Sequence, residues 1–454
     1  MERLKALRRS LLIVEPKHFG VGVDLLKNTL PAITTNLTVL LVGLVELHVA
    51  GLLGTAALEG IVVAFVWVSM MFSFSLGAYT IGVTRTVVAR GRIGLTRTAF
   101  HTAVWVGAGT GLGFAACVFA GAELLLAATG LRGEGLRVGA QFLHISSFGF
   151  PAIFVLGAAQ GLLRGTGRAS AASFLVNLPL WASAVLLPLL ALPQYLALQH
   201  VGLALATVLP MLIGAVVAGH LAFRSLVKGH EADAGVFDRR FFSETMSITY
   251  PSGLVWLIVS ISAAFVQHVM AQFGPHHLAG FGIVMRLETV IGVVASAFGV
   301  GLLYVASSLV ATGRQDRLLL VLRAQQGLFI AFVLPPTLYF WVEPVHWGQW
   351  FSTDKAVVTA AAENARYFVL GLPFMGLAQL TAFALIALGK PLQSLSVIVV
   401  KNFVLMVPLT LVAAWMYPVW PISVLFCAQV MGAPLAWVYA EWLLGKQMQR
   451  KFLT

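Results

Sequence analysis

The sequence predicts an all-α membrane protein with twelve transmembrane helices, arranged as two six-helix bundles that are related by a pseudo-two-fold axis. Three observations predict this fold class: a shortage of charged residues, twelve apolar stretches of spanning length, and similarity between the two halves of the chain. Only 10% of the 454 residues are charged, whereas 59% are hydrophobic. A soluble domain carries roughly 25% charged residues, so much of this chain's surface must face lipid.

Twelve stretches are apolar over about the 20 residues that a spanning helix needs. Their approximate bounds are 27–50, 57–83, 99–127, 139–162, 170–192, 201–225, 246–271, 278–306, 319–341, 362–388, 393–415 and 420–443. Pro31 and Pro251 are predicted near the starts of their helices, where proline is tolerated, whereas Pro151 and Pro373 lie deeper and are predicted to cause kinks.

The two halves repeat residues at a nearly constant offset. The pairs matched by a shift of 220 or 222 residues are Pro31 and Pro251, His48 and His268, Gly54 and Gly274, Leu58 and Leu278, Gly60 and Gly280, Pro151 and Pro373, and Gly167 and Gly389. With six helices in each copy, both copies have the same orientation, so we expect a pseudo-two-fold axis along the membrane normal. A cleft between such halves can open to one side at a time. Pores and membrane enzymes can also be duplicated, so the repeat favours transport without establishing it.

Polar segments divide the chain. We predict a cytoplasmic lead-in over residues 1–26, an N-terminal bundle over 27–226, a cytoplasmic linker over 227–240 and a C-terminal bundle over 241–454. Few basic residues fall at the ends predicted to be outside. They are Arg132, Arg137, Lys355 and Arg366. This positive-inside pattern predicts a multi-pass protein of the cell (inner) membrane with both termini in the cytoplasm, and it explains the net charge of +12 without a nucleic-acid partner.

Several functional motifs are missing from the sequence. It has no GxxxxGK[ST] phosphate loop, no HExxH and no CxxC, so we expect neither ATP-driven transport nor a bound metal or cofactor. No nucleophile and base stand out, so an enzyme is not expected. The prediction is a secondary active transporter, monomeric, whose partners are a small-molecule substrate and the lipid bilayer.

Glu46 is the most informative polar residue, because a charge at the centre of a bilayer costs at least ~2.5–3.5 kcal/mol. We predict that it takes up and releases a proton towards the outer end of the first helix, with a structural pairing or contact with the outer interface as the alternative. Asn177, Thr207 and Gln160 complete the predicted ion-coupling site. They could hold Na⁺ with Glu46, orient its protonated form, or serve only as interhelical hydrogen bonds. His48, about 200° further round the helix, is expected to face elsewhere.

The second half has Val266 at the position equivalent to Glu46. Polar residues in its apolar stretches are candidates for the substrate cleft, with structural ion pairing as an equal alternative. These candidates are Gln267, His268, Arg286, Glu288, Gln379 and Lys401. Glu441, close to the end of the last predicted helix, is expected at the membrane interface.

Three segments carry a family resemblance: LPAITTNLTVLLVGLVELHVAGLLGTAALEG, GAAQGLLRGTGRASAASFLVNLPLW and ALIALGKPLQSLSVIVVKNFVLMVPL. In this order they resemble the multidrug and toxic compound extrusion (MATE) transporters, and they are closer to the DinF-like branch. The resemblance implies the twelve-helix fold of the MATE/MOP type. It also implies export of amphiphilic, often cationic compounds, driven by entry of Na⁺ or H⁺.

Carried over by position, Glu46 replaces the family's first-helix aspartate, while Asn177 and Thr207 match an asparagine and a threonine. DinF-like members have a second aspartate where this chain has Trp181, and NorM-like members have acids where it has apolar or small residues. The known Na⁺ sites are thus incomplete, so we predict H⁺ as the coupling ion of an exporter of small amphiphilic compounds, cations among them. A lipid-linked precursor flippase of the same superfamily and a non-transporting receptor or scaffold are the alternatives.

Overall fold

The computed structural model describes residues 16–91, 96–129, 131–226, 235, 237–351, 354–417 and 423–452. All regular structure in these ranges is helical, and it forms twelve helical rods in two lobes. The N-lobe contains α1 (Pro16–Leu52), α2 (Thr55–Phe72, a π-helical segment Ser73–Tyr79, and Thr80–Arg90), α3 (Arg97–Ala127), α4 (Gly133–Ser147 and Phe150–Gly165), α5 (Ala169–Ala191) and α6 (Gln199–Leu226).

The C-lobe repeats this order. It contains α7 (Arg239–Ala271), α8 (Pro275–Ala311), α9 (Leu318–Val342), α10 (Lys355–Phe368, a 3₁₀ turn Val369–Gly371, and Leu372–Ala387), α11 (Pro391–Val399, a π-helical segment Val400–Met406, and Val407–Met416) and α12 (Ser423–Phe452). A short helix, Pro344–Gln349, links α9 to α10.

Ten helices of the described ranges are long and apolar enough to span a membrane, and α4 makes eleven if its two segments form one span. The twelfth predicted span corresponds to α12, which has 30 residues. Its inner half carries Glu441, Lys446 and Arg450, which makes it less apolar. The start of that predicted span, residues 420–422, lies outside the described part of the chain. The multi-pass helical fold is as predicted.

The kink predicted at Pro151 is confirmed, whereas Pro373 lies at a 3₁₀ interruption of α10, which counts as one unbroken span from Lys355 to Ala387. The two segments of α4 meet at an angle of 46°, and Pro151 lies in the first turn of the second segment. In α10, Pro373 likewise lies in the first turn after the 3₁₀ segment. Proline fits a first turn because its missing N–H would have no helical partner there.

The expected positions of Pro31 and Pro251 are wrong, because both lie inside long helices. The α1 helix starts at Pro16 and includes the later part of the predicted 1–26 lead-in, whereas residues 1–15 lie outside the described ranges. The hydropathy pattern does not reveal the first turns of α1 and α7, because these turns lie beyond the hydrocarbon core and carry polar residues. Most of the predicted 227–240 linker is likewise outside the description.

Glycines matched in sequence occupy equivalent turns of the two lobes. Gly54, between α1 and α2, has a φ of 114°, and Gly274, between α7 and α8, has a φ of 104°. Gly167 and Gly389, which follow α4 and α10, have φ values of 83° and 76°. Side chains are disfavoured at these angles, which gives a physical reason for glycine at each position. The repeat seen in the sequence is therefore a repeat of backbone geometry.

The lobes pack together at one end of the molecule. We call this the inner end; it carries the α6–α7 connection and the end of α12, and the sequence predicts that it is cytoplasmic. Each lobe has its own buried apolar core. The C-lobe core takes in Leu25, Ile33 and Ile81 from α1 and α2, and the N-lobe core takes in Phe241 and Met246 from α7. These shared members all lie in the inner half, so the two lobes are packed together there.

Candidate functional site

Glu46 lies in the outer half of α1 and is 3% exposed. Val42, Val49 and Ala50 lie on the same face of the helix, and all three belong to the N-lobe core. The Glu46 side chain therefore points into the N-lobe and away from the cleft. Its Oε1 atom is buried without a hydrogen-bond partner. His48 is exposed, as predicted.

Asn177 is buried on α5, and its Nδ2 atom is 3.5 Å from Oγ1 of Thr34 on α1. Thr34 precedes Glu46 by twelve residues of continuous helix, a separation of roughly 18 Å. The structure therefore does not bring Asn177 to Glu46, and one Na⁺ ion could not contact both side chains. Oδ1 of Asn177 is buried without a hydrogen-bond partner, so it can accept a hydrogen bond from water or from a substrate.

Gln160 lies near the inner end of α4, on the opposite side of the membrane from Glu46. Thr80 of α2 donates a hydrogen bond of 3.3 Å to its Oε1. Its Nε2 is buried without a partner. Thr207 lies at about the depth of Glu46, eight residues into α6, and its hydroxyl donates to the carbonyl of Leu203 at 3.4 Å. Of the three proposed partners, only Thr207 has a depth that suits a shared site.

Three of the second-half candidates are exposed. Gln267 and His268 lie at the outer end of α7, and Arg286 of α8 lies with its guanidinium carbon 5.7 Å from the ring centre of Phe351. Gln379 has an internal partner instead, because its Nε2 donates to Oγ of Ser296 at 2.8 Å. These four do not converge on one site.

Glu288 and Lys401 do converge. Oε1 of Glu288 on α8 is 3.5 Å from Nζ of Lys401 on α11, and their side chains are 19% and 14% exposed. Lys401 belongs to the π-helical segment of α11, where one wider turn changes which face the side chains present. Both residues line a partly open pocket of the C-lobe with a free volume of about 50 Å³. Most of the lining is apolar and includes Met285, Met375 and Phe281.

Glu441 was expected at the interface but lies in an internal polar cluster, because α12 extends beyond its predicted end. Its Oε2 accepts a 2.6 Å hydrogen bond from Arg323 of α9. Its Oε1 accepts from Arg323, Gln326, Thr381 and Trp437, at 2.9–3.3 Å. This carboxylate accepts five hydrogen bonds, so it stabilises the packing of α9, α10 and α12.

Sequence reasoning missed an ionic contact between the lobes, which we call the inner latch. Arg90 ends α2; its Nη1 donates to Asp238 at 2.6 Å and its Nε donates to Glu244 of α7 at 2.9 Å. Arg240 also donates to Glu244, at 2.9 Å, and the Arg90 guanidinium lies 5.3 Å from the ring centre of Phe241. The available signal was the pair of opposite charges at two inner helix ends, with Arg90 at the end of α2 and Asp238 and Glu244 at the start of α7.

Asp238 has two roles in the latch. It pairs with Arg90, and its Oδ1 accepts from the Phe241 backbone amide at 2.7 Å, which caps α7. Partial burial works to raise the pKa of Asp238, but the hydrogen bonds from Arg90 and the Phe241 amide hold it below its ordinary value. The carboxylate is therefore charged at neutral pH.

Further hydrogen bonds close the inner half. Nε2 of Gln325 on α9 donates to Thr29 of α1 at 2.9 Å, and Nε of Arg85 on α2 donates to the carbonyl of Ala387 on α10 at 2.8 Å. Near the middle of the membrane, Nδ2 of Asn36 donates to the carbonyl of Val293 on α8 at 3.0 Å. Together with the latch, these contacts join the two lobes over the inner half of the molecule.

Comparisons with known proteins agree with this architecture. The MatE family model matches the chain twice, over residues 31–185 and 251–412. A FAD transporter of Shewanella oneidensis is 25% identical over 420 residues, which cover 87% of this chain and 88% of the relative. A probable multidrug resistance protein of Bacillus subtilis, YpnP, is 23% identical over 377 residues, covering 82% and 83%. The structure of the Vibrio cholerae MATE transporter VcmN shares the fold, with a TM-score of 0.87, 18% identity and coverage of 96% and 99%.

Proposed function

Because the chain belongs to the MatE family of transporters, we propose that it is a proton-coupled antiporter that exports small amphiphilic compounds by alternating access. In this proposal the cleft between the lobes opens in turn to the two sides of the membrane, and Glu46 carries the coupling proton. Membership of the family supports transport. The choice of ion and the class of substrate are our inference from the residues.

The observation that carries the proposal is the environment of Glu46. Its carboxyl group is buried in the N-lobe core, and Oε1 has no hydrogen-bond partner. An unpaired carboxylate is costly in such a place, whereas the neutral acid is tolerated. Uptake of a proton therefore favours the packed state of α1 in this core, and release of the proton requires access to water. A single buried group can in this way link proton movement to the packing of one helix.

H⁺ suits this site better than Na⁺. A hard cation needs several oxygen ligands held close together. Asn177 is held beside Thr34, roughly 18 Å along α1 from Glu46, and Gln160 lies near the other end of the bundle. Asn177 and Gln160 therefore cannot act as ligands to a Na⁺ ion at Glu46, whereas binding of a proton requires only the carboxyl group itself.

The chemistry of the lining of the C-lobe pocket suits an amphiphilic substrate. Its walls combine aromatic and methionine side chains with one ion pair, Glu288 and Lys401. Methionine adapts its shape to different ligands and makes favourable contacts with aromatic rings. The single cation already has a carboxylate partner, which disfavours a flippase for a pyrophosphate head group, since that substrate needs uncompensated positive charge.

A second candidate substrate follows from the relative named as a FAD transporter. A flavin dinucleotide is flat, aromatic and anionic, so it would have to separate Lys401 from Glu288 to use the ammonium group. Competition between FAD and cationic dyes for efflux by the same reconstituted protein distinguishes this substrate from a multidrug range.

The coupling role is tested in proteoliposomes loaded with a fluorescent substrate. Under an imposed pH gradient we expect E46Q to abolish driven efflux and E46D, which restores the acid of the family, to retain it. E123Q is the matched control, because Glu123 is an exposed acid on α3. Full efflux by E46Q would refute the role of Glu46. Efflux that requires a Na⁺ gradient while E46Q is inactive would correct the ion alone.

A further inference from the structure

A groove of about 390 Å³ lies on the outer surface of the N-lobe, between α3, α4 and α6. Its walls are apolar and include Val104, Val155, Leu212 and Gly219, and His220 lies at its inner end. From Leu212 to His220 it extends roughly 12 Å along α6. That length is most of the ~15 Å that separates the bilayer mid-plane from the headgroups.

Basic side chains lie where the groove reaches the inner end. Arg97 and His101 are one turn apart on α3, on the face that also carries Val104. His220 and Arg224 are one turn apart on the groove face of α6. An apolar groove and a basic mouth are therefore continuous on the same helix faces.

An aromatic side chain organises this mouth. The ring of Phe223 on α6 lies 5.9 Å from the guanidinium carbon of Arg97 and 5.7 Å from the ring centre of His101, both on α3. Phe100 packs edge-on against the same ring. The contacts hold two basic groups of α3 against one ring of α6, which lowers the entropy lost when they bind a ligand.

The charge of the mouth is not compensated by acids of its own helices. In the described residues of α3 to α6 the acids are Glu123 and Glu134, and both lie at the outer end. Glu134 has a partner there, since Arg137 approaches its Oε1 at 3.4 Å. Asp238 also lies against α3, where its backbone amide donates to Thr102, but its carboxylate is paired with Arg90. Within the described residues Arg97 and Arg224 have no ion-pair partner, so their positive charge can meet an external anion.

We propose that this groove binds an anionic phospholipid of the inner leaflet, with one acyl chain in the channel between α3, α4 and α6 and the phosphate on Arg97 and Arg224. The apolar walls match a hydrocarbon chain, and the guanidinium groups match a phosphate diester, to which arginine can donate paired hydrogen bonds. Basic pockets between transmembrane helices on this side of a membrane suit anionic headgroups. The bound lipid would brace α3 and α6 of the N-lobe.

The charge requirement is tested with full-length protein purified in detergent and offered phosphatidylglycerol or phosphatidylcholine at equal concentration. Native mass spectrometry counts the lipids retained. Each arginine near a headgroup contributes about fivefold in affinity, so we expect R97Q/R224Q to weaken phosphatidylglycerol binding about 25-fold. The matched control is R314Q/R317Q, which removes two exposed arginines at the inner end of the C-lobe.

The shape requirement is tested with G219L. A Cβ atom at Gly219 would meet only Val155, at 4.0 Å, so leucine fits the helix and fills the groove. We expect G219L to lose the retained lipid, whereas G109L, at an exposed glycine of α3 with open space around it, keeps it. Equal loss in R97Q/R224Q and R314Q/R317Q would show ordinary positive-inside charge and overturn the proposal. Equal retention of phosphatidylcholine would overturn it as well.

Discussion

Replacing Arg90 with glutamine should open the inner end of the transporter. Arg90 donates to Asp238 at 2.6 Å and to Glu244 at 2.9 Å, and the three side chains are 18%, 21% and 36% exposed. Hydrogen bonds to charged groups contribute about 1.5–3 kcal/mol when buried, but exposed ion pairs contribute only about 0.2–1 kcal/mol. For this intermediate exposure we assign roughly 2 kcal/mol to the two contacts together, a change of about 30-fold in the ratio of closed to open states.

A change of this size is measurable if the open state is already populated. An open fraction of about 1% would rise to about a quarter in R90Q. Pulsed electron paramagnetic resonance between spin labels on Ala89 and Ser247, both exposed and on opposite sides of the latch, reports the separation of α2 and α7. The native Cys117 and Cys427 must first be replaced, because both are exposed.

Two variants refine the test. D238N keeps a side chain that caps α7 but removes the charge, so it should open the inner end by less than R90Q. R137Q breaks an exposed pair within α4, where Arg137 and Glu134 are 3.4 Å apart, and should leave the distance unchanged. An R90Q distance distribution that matches the parent would refute the latch as a determinant of the closed state.

Four further predictions follow from the same contacts. The latch should be insensitive to pH between about 5 and 8 and open only as the pH falls below about 4, because the lowered pKa of Asp238 keeps its contribution intact above the ordinary aspartate value; the same spin-label distance, followed by titration, checks this. K401M and E288Q should each lower the melting temperature more than the K401M/E288Q double variant, because each single change leaves a largely buried charge unpaired. E441Q should destabilise the C-lobe by about 2 kcal/mol, since it weakens the hydrogen bonds from Arg323, and chemical unfolding of E441Q against E123Q measures this. E46Q mimics the protonated acid, so it should change the distance between the spin labels at the inner end in the same direction as acidification of the outer side does in the parent protein. An unchanged distance would show that proton binding at Glu46 does not affect the latch.

The sequence was sufficient for the features that depend on the bilayer and on the repeat. A spanning helix must be apolar over about 20 residues, so the number and order of the rods could be counted. Gly54 and Gly274 could be paired because a left-handed turn restricts the choice of residue. The ends of α1 and α7 could not be found, since their turns beyond the hydrocarbon are as polar as a loop.

The candidate site was predicted less well, because its contacts join distant parts of the chain. Arg323 and Glu441 are 118 residues apart, and no local pattern pairs them. The grouping of Asn177 with Glu46 had a different flaw. Glu46 is close to the outer end of its predicted helix and Asn177 close to the inner end of its own, so a count of depth from the predicted bounds already separates them. The match of these residues to positions of the family did not indicate how deep each one lies in the membrane.

The geometry of α1 suggests how a proton at Glu46 acts on a closure that lies far from it. The helix is continuous from Pro16 to Leu52, so it contains both Glu46 and the residues that bond to the C-lobe. Its outer half carries Glu46 into the N-lobe core, whereas in its inner half Thr29 and Asn36 bond to the C-lobe. Pro31 lies between Thr29 and Asn36 and lacks the N–H that would continue the helical ladder, so the helix is weakest within the region that bonds to the C-lobe. If Glu46 carries the coupling proton as proposed, a change in its packing would be transmitted along this one helix to the contacts between the lobes, and the C-lobe would provide the surface against which α1 moves.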